Sequence, residues 1–310
     1  MNLNINSDIR IAETLPSSFY KDSELFEIIK NKIFLRAWHW IGDENLIAKK
    51  NSIYPFTLLE GYLDEPLMLS RSKDNNIKCL SNVCTHRGNL LVLKPCKSAK
   101  IRCTYHGRRF NSDGEFEFMP DFEKTKNFPR KCDNLNPFLV KSWNKLLFTA
   151  FNPIIDIEKV LEIMDKRIGF LPLNKAMFDS SLSQNFKIDA HWALYCDNYL
   201  EGFHVPFVHK DLNEILDYNS YETEIYDHCN LQIGYSNNKE DCFIFPENHI
   251  DSGKNIAAYY FWIYPNMMFN YYPWGISINI VKPINLKLTE VEFISYVFDK
   301  TKLKKGASSD

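Results

Sequence analysis

The sequence predicts an α+β chain of two domains, in which a small all-β domain is followed by a larger α+β domain. The chain has 310 residues, which is long for a single ordinary core. Between about residues 40 and 150 it contains only short β-prone runs, separated by Asp, Asn, Gly and Pro. Helical patterns return after Asn152 and are followed by long strand-like runs. We therefore expect an N-terminal helix within residues 1–36, a β domain over 37–150 and a second domain over 151–310.

The N-terminal helix is predicted between Tyr20 and Trp40, where apolar residues recur at helical spacing. Ser23 and Glu27 offer a plausible start for this helix. In the β domain, the predicted strands are SIYPFTLL, PLMLSRS, NLLVLKP and KLLFTAF. Together these patterns predict one helix followed by an antiparallel β domain.

In the second domain, IEKVLEIMDKRIG and HWALYCDNYLEGFH are helical by pattern. Long strands are expected over Tyr259–Phe269, Ile276–Val281 and Val291–Phe298, and KTKLKKGASSD is a polar tail. The most apolar stretch, Ala257–Gly275, is interrupted by prolines and asparagines, so we expect no membrane span.

The charge balance excludes one large class of partner. The chain carries 37 basic and 39 acidic side chains, a formal charge of −2, and this does not suggest a nucleic-acid partner. The first residues contain neither the basic nor the apolar region of a secretory signal, so a cytoplasmic location is expected. The eight cysteines are then better interpreted as thiols or ligands than as disulfides.

A first group of metal-type ligands lies in the β domain. Cys84-x-His86 and Cys103-x-x-His106 each supply one thiol and one imidazole, and each is followed closely by a glycine. Three interpretations are open: buried Cys and His in a hairpin, a structural zinc site, or a [2Fe–2S] cluster in which two His replace two Cys on one iron. The last arrangement needs one Cys and one His from each of two loops, which is the pattern found.

Cys84-Thr-His86-Arg-Gly and Cys103-Thr-Tyr-His106-Gly resemble the Rieske motif of ring-hydroxylating oxygenase α subunits. The resemblance implies a Rieske [2Fe–2S] domain with Cys84 and Cys103 on one iron and His86 and His106 on the other. It also implies a helix-grip-like catalytic domain with a curved antiparallel sheet.

Two details of this motif region lead to separate expectations. Leu90–Leu93 would form a strand that joins the two cluster loops. Arg108 departs from the family pattern, because many members carry Trp after the His-Gly pair. The departure changes a residue that covers the cluster and leaves the four ligands unchanged.

A second group of ligands lies in DNYLEGFHVPFVH. On a helix, Asn198, Glu201 and His204 would share one face, whereas His209 would point about 140° away from His204. Both imidazoles can reach one metal only if the helix distorts or ends, and Pro206 favours such a break. Without a metal, the two residues would be ordinary, partly buried histidines.

The same segment is similar to the catalytic motif Asn-Tyr-x-Glu-x-x-His-x-x-x-x-His of the oxygenase family. This resemblance implies a ferrous site with two His ligands and one carboxylate, in which His204 and His209 are the imidazoles. It assigns catalytic roles to Glu201 and Asn198. Glu201 would link His106 of one subunit to His204 of the next, which requires an oligomer, usually a homotrimer.

The third iron ligand of the family is an aspartate far downstream of the histidines, and it has no clear match in this chain. Asp299 and Asp310 are the late candidates, and both lie where the family pattern would still be in the last strand or the loop after it. Either the sequence is truncated or the iron site is incomplete, and an incomplete site would bind iron weakly.

The resemblance implies the oxygenase component of a Rieske non-haem iron system. Such a component uses O₂ and electrons from a separate NAD(P)H reductase or ferredoxin, and this chain has no dinucleotide fingerprint of its own. It would hydroxylate or oxidatively demethylate a small organic substrate. Two rivals stay open: an electron carrier with an incomplete iron site, and a zinc-stabilised binding module.

Within the family, DNYLEGFHVPFVHKDL and YPNMMFNYYPWG most resemble the branch that contains choline monooxygenase and related quaternary-ammonium oxygenases. Tyr271, Tyr272 and Trp274 could hold a trimethylammonium group by cation–π attraction. The same residues could equally form a sheet core, and an aromatic substrate would suit these walls as well.

Overall fold

The structure is a computed structural model that describes residues 3–303 and 305–308, with the side chain of Lys210 excepted. Its contacts divide the chain into two compact units. The β unit comprises Leu35–Ile155, and the α+β unit combines Met1–Phe34 with Asp156–Asp310.

The β unit consists of short strands that form two antiparallel sheets. In chain order its strands are β1 (Trp38–Asp43), β2 (Ser52–Leu58), β3 (Glu65–Arg71), β4 (Ile77–Ser81), β5 (Cys96–Lys97), β6 (Lys100–Arg102), β7 (Arg109–Asn111), β8 (Phe116–Phe118), β9 (Pro137–Trp143) and β10 (Leu146–Ala150). The larger sheet has the order β1-β10-β9-β4-β3-β2-β5, and β6-β7-β8 form the smaller one. Three of the four predicted runs therefore correspond to strands, namely β2, β3 and β10.

The predicted strand over Leu90–Leu93 is wrong. The backbone there makes only an isolated bridge between Val83 and Leu90, and Leu93 is 81% exposed. The side chain of Asn82 both accepts from the Val92 N–H and donates to the Val92 carbonyl, at 2.9 and 2.7 Å. Because a side chain satisfies these backbone groups, the segment runs as a loop instead of pairing in a sheet.

The α+β unit contains five helices in its described residues: α1 (Ser23–Lys32), α2 (Ile157–Ile168), α3 (Trp192–Tyr199), α4 (Val205–Val208) and α5 (Lys210–Ile215). The first helix is shorter than predicted, because Asp22 caps it by accepting from the Leu25 N–H and a strand already begins at Trp38. The predicted helix α2 is confirmed, and its buried face carries Val160, Leu161 and Met164.

The predicted helix HWALYCDNYLEGFH ends early. Helix α3 stops at Tyr199, with Leu200 as its last capping residue. Gly202 follows where a Cβ atom would lie 3.2 Å from the ring of Tyr221, a spacing that only glycine meets without displacing the ring. The chain passes Glu201 and Gly202 as irregular backbone, and a turn at Phe203 and His204 leads into α4.

The strands of the α+β unit build one curved antiparallel sheet. They are β11 (Met177–Phe178), β12 (Gln184–Ile188), β13 (Glu222–Tyr226), β14 (Cys229–Tyr235), β15 (Ile256–Ile263), β16 (Met267–Tyr272), β17 (Gly275–Asn285) and β18 (Leu288–Val297). The order is β11-β18-β17-β16-β15-β14-β13, and β12 also pairs with β18. The predicted strand Tyr259–Phe269 is in fact two strands, because a turn at Tyr264 and Pro265 separates β15 from β16.

The segment predicted as a polar tail contributes to the core. Ala307 is fully buried and packs with Ala257, Tyr272 and Val297. The Tyr260 hydroxyl donates to the carbonyl of Ala307. Asp310 lies outside the described residues. Among the helices that the structure describes, none is long and apolar enough to cross a membrane.

Candidate functional site

Two backbone turns of the same geometry present the four ligand candidates of the β unit. In the first, the Gly88 N–H donates to the Cys84 carbonyl at 3.0 Å; in the second, the Gly107 N–H donates to the Cys103 carbonyl at 3.1 Å. Both glycines have a left-handed backbone, with φ of 71° and 72°. The repeated sequence unit is therefore the turn Cys-x-x-x-Gly, within which the histidine takes the third position once and the fourth position once.

The four side chains sort into a sulfur pair and an imidazole pair. The thiols of Cys84 and Cys103 are buried and hydrogen-bonded to each other. The rings of His86 and His106 lie 4.8 Å apart between centroids and are only partly buried. The exposed ring of Tyr105 packs against His106, with 3.8 Å between centroids. The sulfurs thus face the core and the imidazoles face the surface of the unit.

Local electrostatics favour ionisation of one thiol of the pair. Burial raises the pKa of Cys103, but N–H groups of Tyr105 and His106, the Cys84 thiol and the Asn89 amide donate to its sulfur and bring its pKa below the usual value. The pKa of Cys84 is raised by burial and by the charge of Cys103. The hydrogen bonds at the Cys103 sulfur therefore favour its ionised form over that of Cys84.

These residues fit a [2Fe–2S] cluster with two Cys and two His ligands. Such a cluster takes two protein ligands per iron, one pair of sulfurs and one pair of nitrogens, which is how the side chains are sorted. The Nδ1 atom of His106 is buried and has no hydrogen-bond partner in the described structure, as expected of a nitrogen that would coordinate a metal. A single zinc ion would instead need all four donors around one point.

The second pair of histidines lies where the chain is irregular. His204 directly precedes α4, and His209 lies between α4 and α5. Their rings are 5.1 Å apart between centroids. The predicted break between the two histidines is thus present, but it lies at His209, whose backbone (φ −109°, ψ 74°) is not helical, and not at Pro206. Pro206 is in the first turn of α4, where its missing N–H has no helical partner to lose.

Glu201 holds His204 although no continuous helix joins them. One carboxylate oxygen is 2.5 Å from the Nδ1 atom of His204, and the other accepts from the Phe203 and His204 N–H groups. This contact fixes the ring and leaves Nε2 as the nitrogen that can bind a metal. The predicted shared helical face of Asn198, Glu201 and His204 is wrong, yet all three residues line one cavity.

The residues fit a mononuclear iron site only in part. The two imidazoles are close enough to share one ion, but the described residues contain no group of three His, Cys, Asp or Glu side chains that could hold a metal. The carboxylate of Asp299 accepts from the N–H and the hydroxyl of Thr301, so it caps a short turn.

The cavity beside the histidines has a volume of about 800 Å³. The polar side chains on its wall are mostly amides and hydroxyls, and its apolar walls are largely aromatic. Its lining includes Gln184, Phe186, Asn198, Tyr199, Glu201, His204, His209, Tyr221, Gln232, Tyr260, Asn270, Tyr272, Trp274, Asn279, Phe293, Ser295, Leu303 and Ser308.

Of the three aromatic residues predicted to line a pocket, two do so. Tyr272 and Trp274 are stacked at 5.3 Å, and both belong to the cavity wall. Tyr271 does not line the cavity and is fully buried. Successive residues of a strand point to opposite faces of the sheet, so Tyr271 faces away when Tyr272 faces the cavity.

A chain of polar groups on the sheet was missed from the sequence. The Tyr199 hydroxyl donates to Asn270 and the Asn270 amide donates to Asn279, both at 2.6 Å, while the Gln232 amide donates to the Tyr199 carbonyl. Asn270 and Asn279 are buried in strands that are otherwise largely apolar. A buried amide in the middle of such a strand is the signal that could have revealed this wall.

Two family models match this chain, and they correspond to the two groups of ligands. Residues 40–129 match the Rieske [2Fe-2S] domain, and residues 178–308 match the catalytic domain of the ring-hydroxylating α subunit. The first match contains both Cys-x-x-x-Gly turns, and the second contains His204, His209 and the cavity. The chain therefore carries both a Rieske [2Fe-2S] domain and the catalytic domain of a ring-hydroxylating α subunit.

The chain is similar to curated oxygenases from plants and bacteria. It is 27% identical to the chloroplastic choline monooxygenase of Beta vulgaris, over 96% of this chain and 66% of that protein. It is 26% identical to the carnitine monooxygenase oxygenase subunit of Escherichia coli K12, over 84% of this chain and 68% of that protein. The chain thus spans about two thirds of the length of these relatives.

Solved structures of related oxygenases share its fold. The quaternary ammonium Rieske monooxygenase CntA, in complex with γ-butyrobetaine, has a TM-score of 0.73 at 21% identity, covering 93% of this chain and 76% of its own. Naphthalene 1,2-dioxygenase from Rhodococcus sp. has a TM-score of 0.70 at 19% identity, covering 92% and 73%.

Proposed function

We propose that this chain is the oxygenase component of a Rieske non-haem iron system. It would use O₂ and electrons from a separate NAD(P)H reductase or ferredoxin to hydroxylate or oxidatively demethylate a small organic substrate. The observation that carries the proposal is the pairing of two sites: two equal turns that present Cys and His in the β unit, and two adjacent imidazoles on the wall of a large cavity in the α+β unit.

The proposed division of labour follows the predicted domains. Residues 37–150 would hold the [2Fe–2S] cluster through Cys84, His86, Cys103 and His106. Residues 151–310 would hold ferrous iron, and residues 1–36 would pack on this catalytic part. When bound, the cluster would supply single electrons and the ferrous ion would activate O₂. The cytoplasmic location expected from the sequence stays a prediction.

The chain's own residues would prepare the iron site for this chemistry. Glu201 orients His204 through Nδ1, and His209 would present the second imidazole. Asn198 would bind substrate or water as an uncharged part of the wall. The polar chain from Tyr199 through Asn270 to Asn279 would fix the shape of the wall through its side-chain hydrogen bonds.

We further propose that electrons cross between subunits of a homotrimer, from His106 of one subunit to Glu201 and His204 of the next. The partly exposed position of His106, beside the exposed Tyr105, supports this route. The carboxylate of Glu201 is also partly exposed, at 33%. Inter-subunit electron transfer is named for the related quaternary ammonium monooxygenase.

The substrate class that we favour is a quaternary ammonium compound. Tyr272 and Trp274 present stacked rings to the cavity, and an aromatic face attracts a trimethylammonium group by about 0.5–2 kcal/mol. Curated relatives are named for choline and carnitine. Aromatic ring hydroxylation is the competing reaction, since the same walls would accept an aromatic ring.

A second candidate function is electron transfer by a Rieske protein with an incomplete iron site. The observation that favours it is that no third His, Cys, Asp or Glu ligand joins His204 and His209 in the part of the chain that the structure describes.

Metal analysis separates these functions. The purified protein is expected to contain three irons per chain and a reduced cluster visible by EPR, whereas the electron carrier would contain two irons. Oxygen uptake with a surrogate reductase should then increase with choline or betaines more than with aromatic acids. A colourless protein without an EPR signal would contradict both functions and favour the zinc-stabilised module.

A further inference from the structure

Arg108 is a buried cation directly beside the second cluster turn. It is only 3% exposed, and its guanidinium donates to Asp133 at 2.7 Å. Three phenylalanine rings surround it, since Phe110, Phe116 and Phe128 have centroids 5.0–5.8 Å from its central carbon. The charge is therefore held in one position, away from solvent.

The Arg108–Asp133 pair is connected to both ligand-bearing turns. The Arg108 carbonyl accepts from the Cys103 N–H at 2.8 Å, which closes the second turn. The Asp133 carbonyl accepts from the hydroxyl of Thr85, in the first turn, also at 2.8 Å. A substitution in this pair would consequently act on the surroundings of all four ligands.

Stability alone gives little reason to bury this pair. Desolvation of two ions usually cancels much of their attraction, and a well-packed apolar replacement is often no less stable. The pair is also incompletely satisfied, because the Nε atom of Arg108 is buried without a hydrogen-bond partner in the described structure. The positive charge itself therefore needs an explanation.

The charge of the cluster explains why a buried positive charge would be useful at this position. The charges of two ferric ions, two sulfides and two thiolates sum to zero, so reduction by one electron gives the cluster and its thiolates a net charge of −1. A fixed positive charge nearby stabilises that reduced form more than the neutral form. The guanidinium of Arg108 lies close to the first turn as well, because it and the hydroxyl of Thr85 both donate to the Asp133 carbonyl, at 3.3 and 2.8 Å.

We propose that Arg108 is a redox-tuning residue. Its buried guanidinium raises the reduction potential of the cluster, and its pairing with Asp133 sets the size of this increase. The inference rests on the proposed cluster binding. It concerns a residue that contacts the cluster turns and is not one of the four ligands.

The test compares midpoint potentials, measured by redox titration with visible and EPR detection, in the full-length protein. Arg108→Met is expected to lower the ratio of reduced to oxidised cluster at a fixed potential by about tenfold, which is 59 mV for one electron. Asp133→Asn is expected to shift the potential in the opposite direction, because it leaves the cation without its counterion. Arg108→Lys keeps the charge and should remain near the unmodified protein.

Arg109→Gln is the matched control. Arg109 is the next residue, but it is partly exposed and pairs with Glu117 on the surface of the β unit. Its removal should leave the potential almost unchanged. Shifts of Arg108→Met and Asp133→Asn in the same direction, or no larger than that of Arg109→Gln, would overturn the proposal.

If Arg108→Met does not retain a cluster, the potentials of Asp133→Asn and Arg108→Lys test the proposal instead. A raised potential in Asp133→Asn together with an unchanged one in Arg108→Lys supports electrostatic tuning, and any other combination contradicts it. Failure of the proposed cluster binding has a different signature, since the unmodified protein would then be colourless and show no EPR signal.

Discussion

The two regions that present paired histidines differ in how the chain holds them. In the β unit, two turns with the same hydrogen bonds and the same left-handed glycines bring four candidate ligands together. In the α+β unit, His204 and His209 lie close together because the helical backbone is interrupted at His209, and the carboxylate of Glu201 holds the ring of His204. A repeated local turn can present all the ligands predicted for a cluster, whereas a broken helix presents only two of the predicted ligands and depends on the rest of the chain for a third.

The first prediction removes one member of the ligand set predicted for the cluster. Cys103→Ser should abolish the visible absorption and remove two irons per chain, because one buried thiolate of the sulfur pair is lost. Iron analysis and the visible spectrum measure this. Cys132→Ser is the control, since Cys132 is an exposed thiol outside both turns, and it should keep a normal cluster. A normal cluster in Cys103→Ser would contradict the predicted ligand set.

The second prediction uses acid to weaken the α+β unit. His191 caps α3 and is buried, and burial lowers its pKa to about 4, below the usual 6.5. The unfolded chain therefore binds the proton more readily, so stability is complete above pH 6.5 and falls as the pH drops towards 4. The loss of unfolding free energy should reach about 3 kcal/mol.

Urea unfolding at pH 7 and pH 4.5 measures this loss. His191→Asn is the control, because asparagine can still cap the helix but does not titrate in this range. An equal loss in both proteins would show that another group carries the acid sensitivity. Asp133 titrates in a different window, since the pKa of its carboxyl is already below the usual 3.8 despite burial, through the Arg130 N–H and the Arg108 guanidinium.

The third prediction tests the carboxylate that holds His204. Glu201→Gln should slow turnover by about 10- to 100-fold, because the ring loses a charged partner, while the spectrum of the cluster stays unchanged. Turnover with a surrogate reductase and the iron content per chain measure the effect. Glu214→Gln, at an exposed position of α5, should have little effect. Unchanged turnover in Glu201→Gln would remove this residue from the electron route.

Much of the fold could be predicted because local signals agreed with it. The α2 pattern and the runs that became β2, β3 and β10 each combine one clear periodicity with terminal signals. Leu90–Leu93 failed for a tertiary reason, because the side chain of Asn82 took the hydrogen bonds of the segment. The burial of Ala307 was also beyond local sequence, since the residues that cover it are about 10 to 50 positions away.

In the candidate site, too, local sequence predicted some features, and others depended on tertiary structure. The spacing of His204 and His209 correctly required a broken helix, but Pro206 was the wrong place for it, because proline is well tolerated in a first helical turn. The break lies at His209, where the backbone leaves the helical conformation between α4 and α5. The assignment of Tyr271 to the pocket needed a strand register that composition alone does not supply.

One wall of the cavity comes from a short stretch of chain and not from the sheet. Leu303 and Ser308 border the cavity, and Ala307 fixes their segment beneath Tyr260. For protein engineering, residues that border the cavity can therefore be changed here without changing the strands that stabilise the fold. A library confined to positions 303 and 308 would vary which molecules enter, while every strand that carries the fold keeps its sequence.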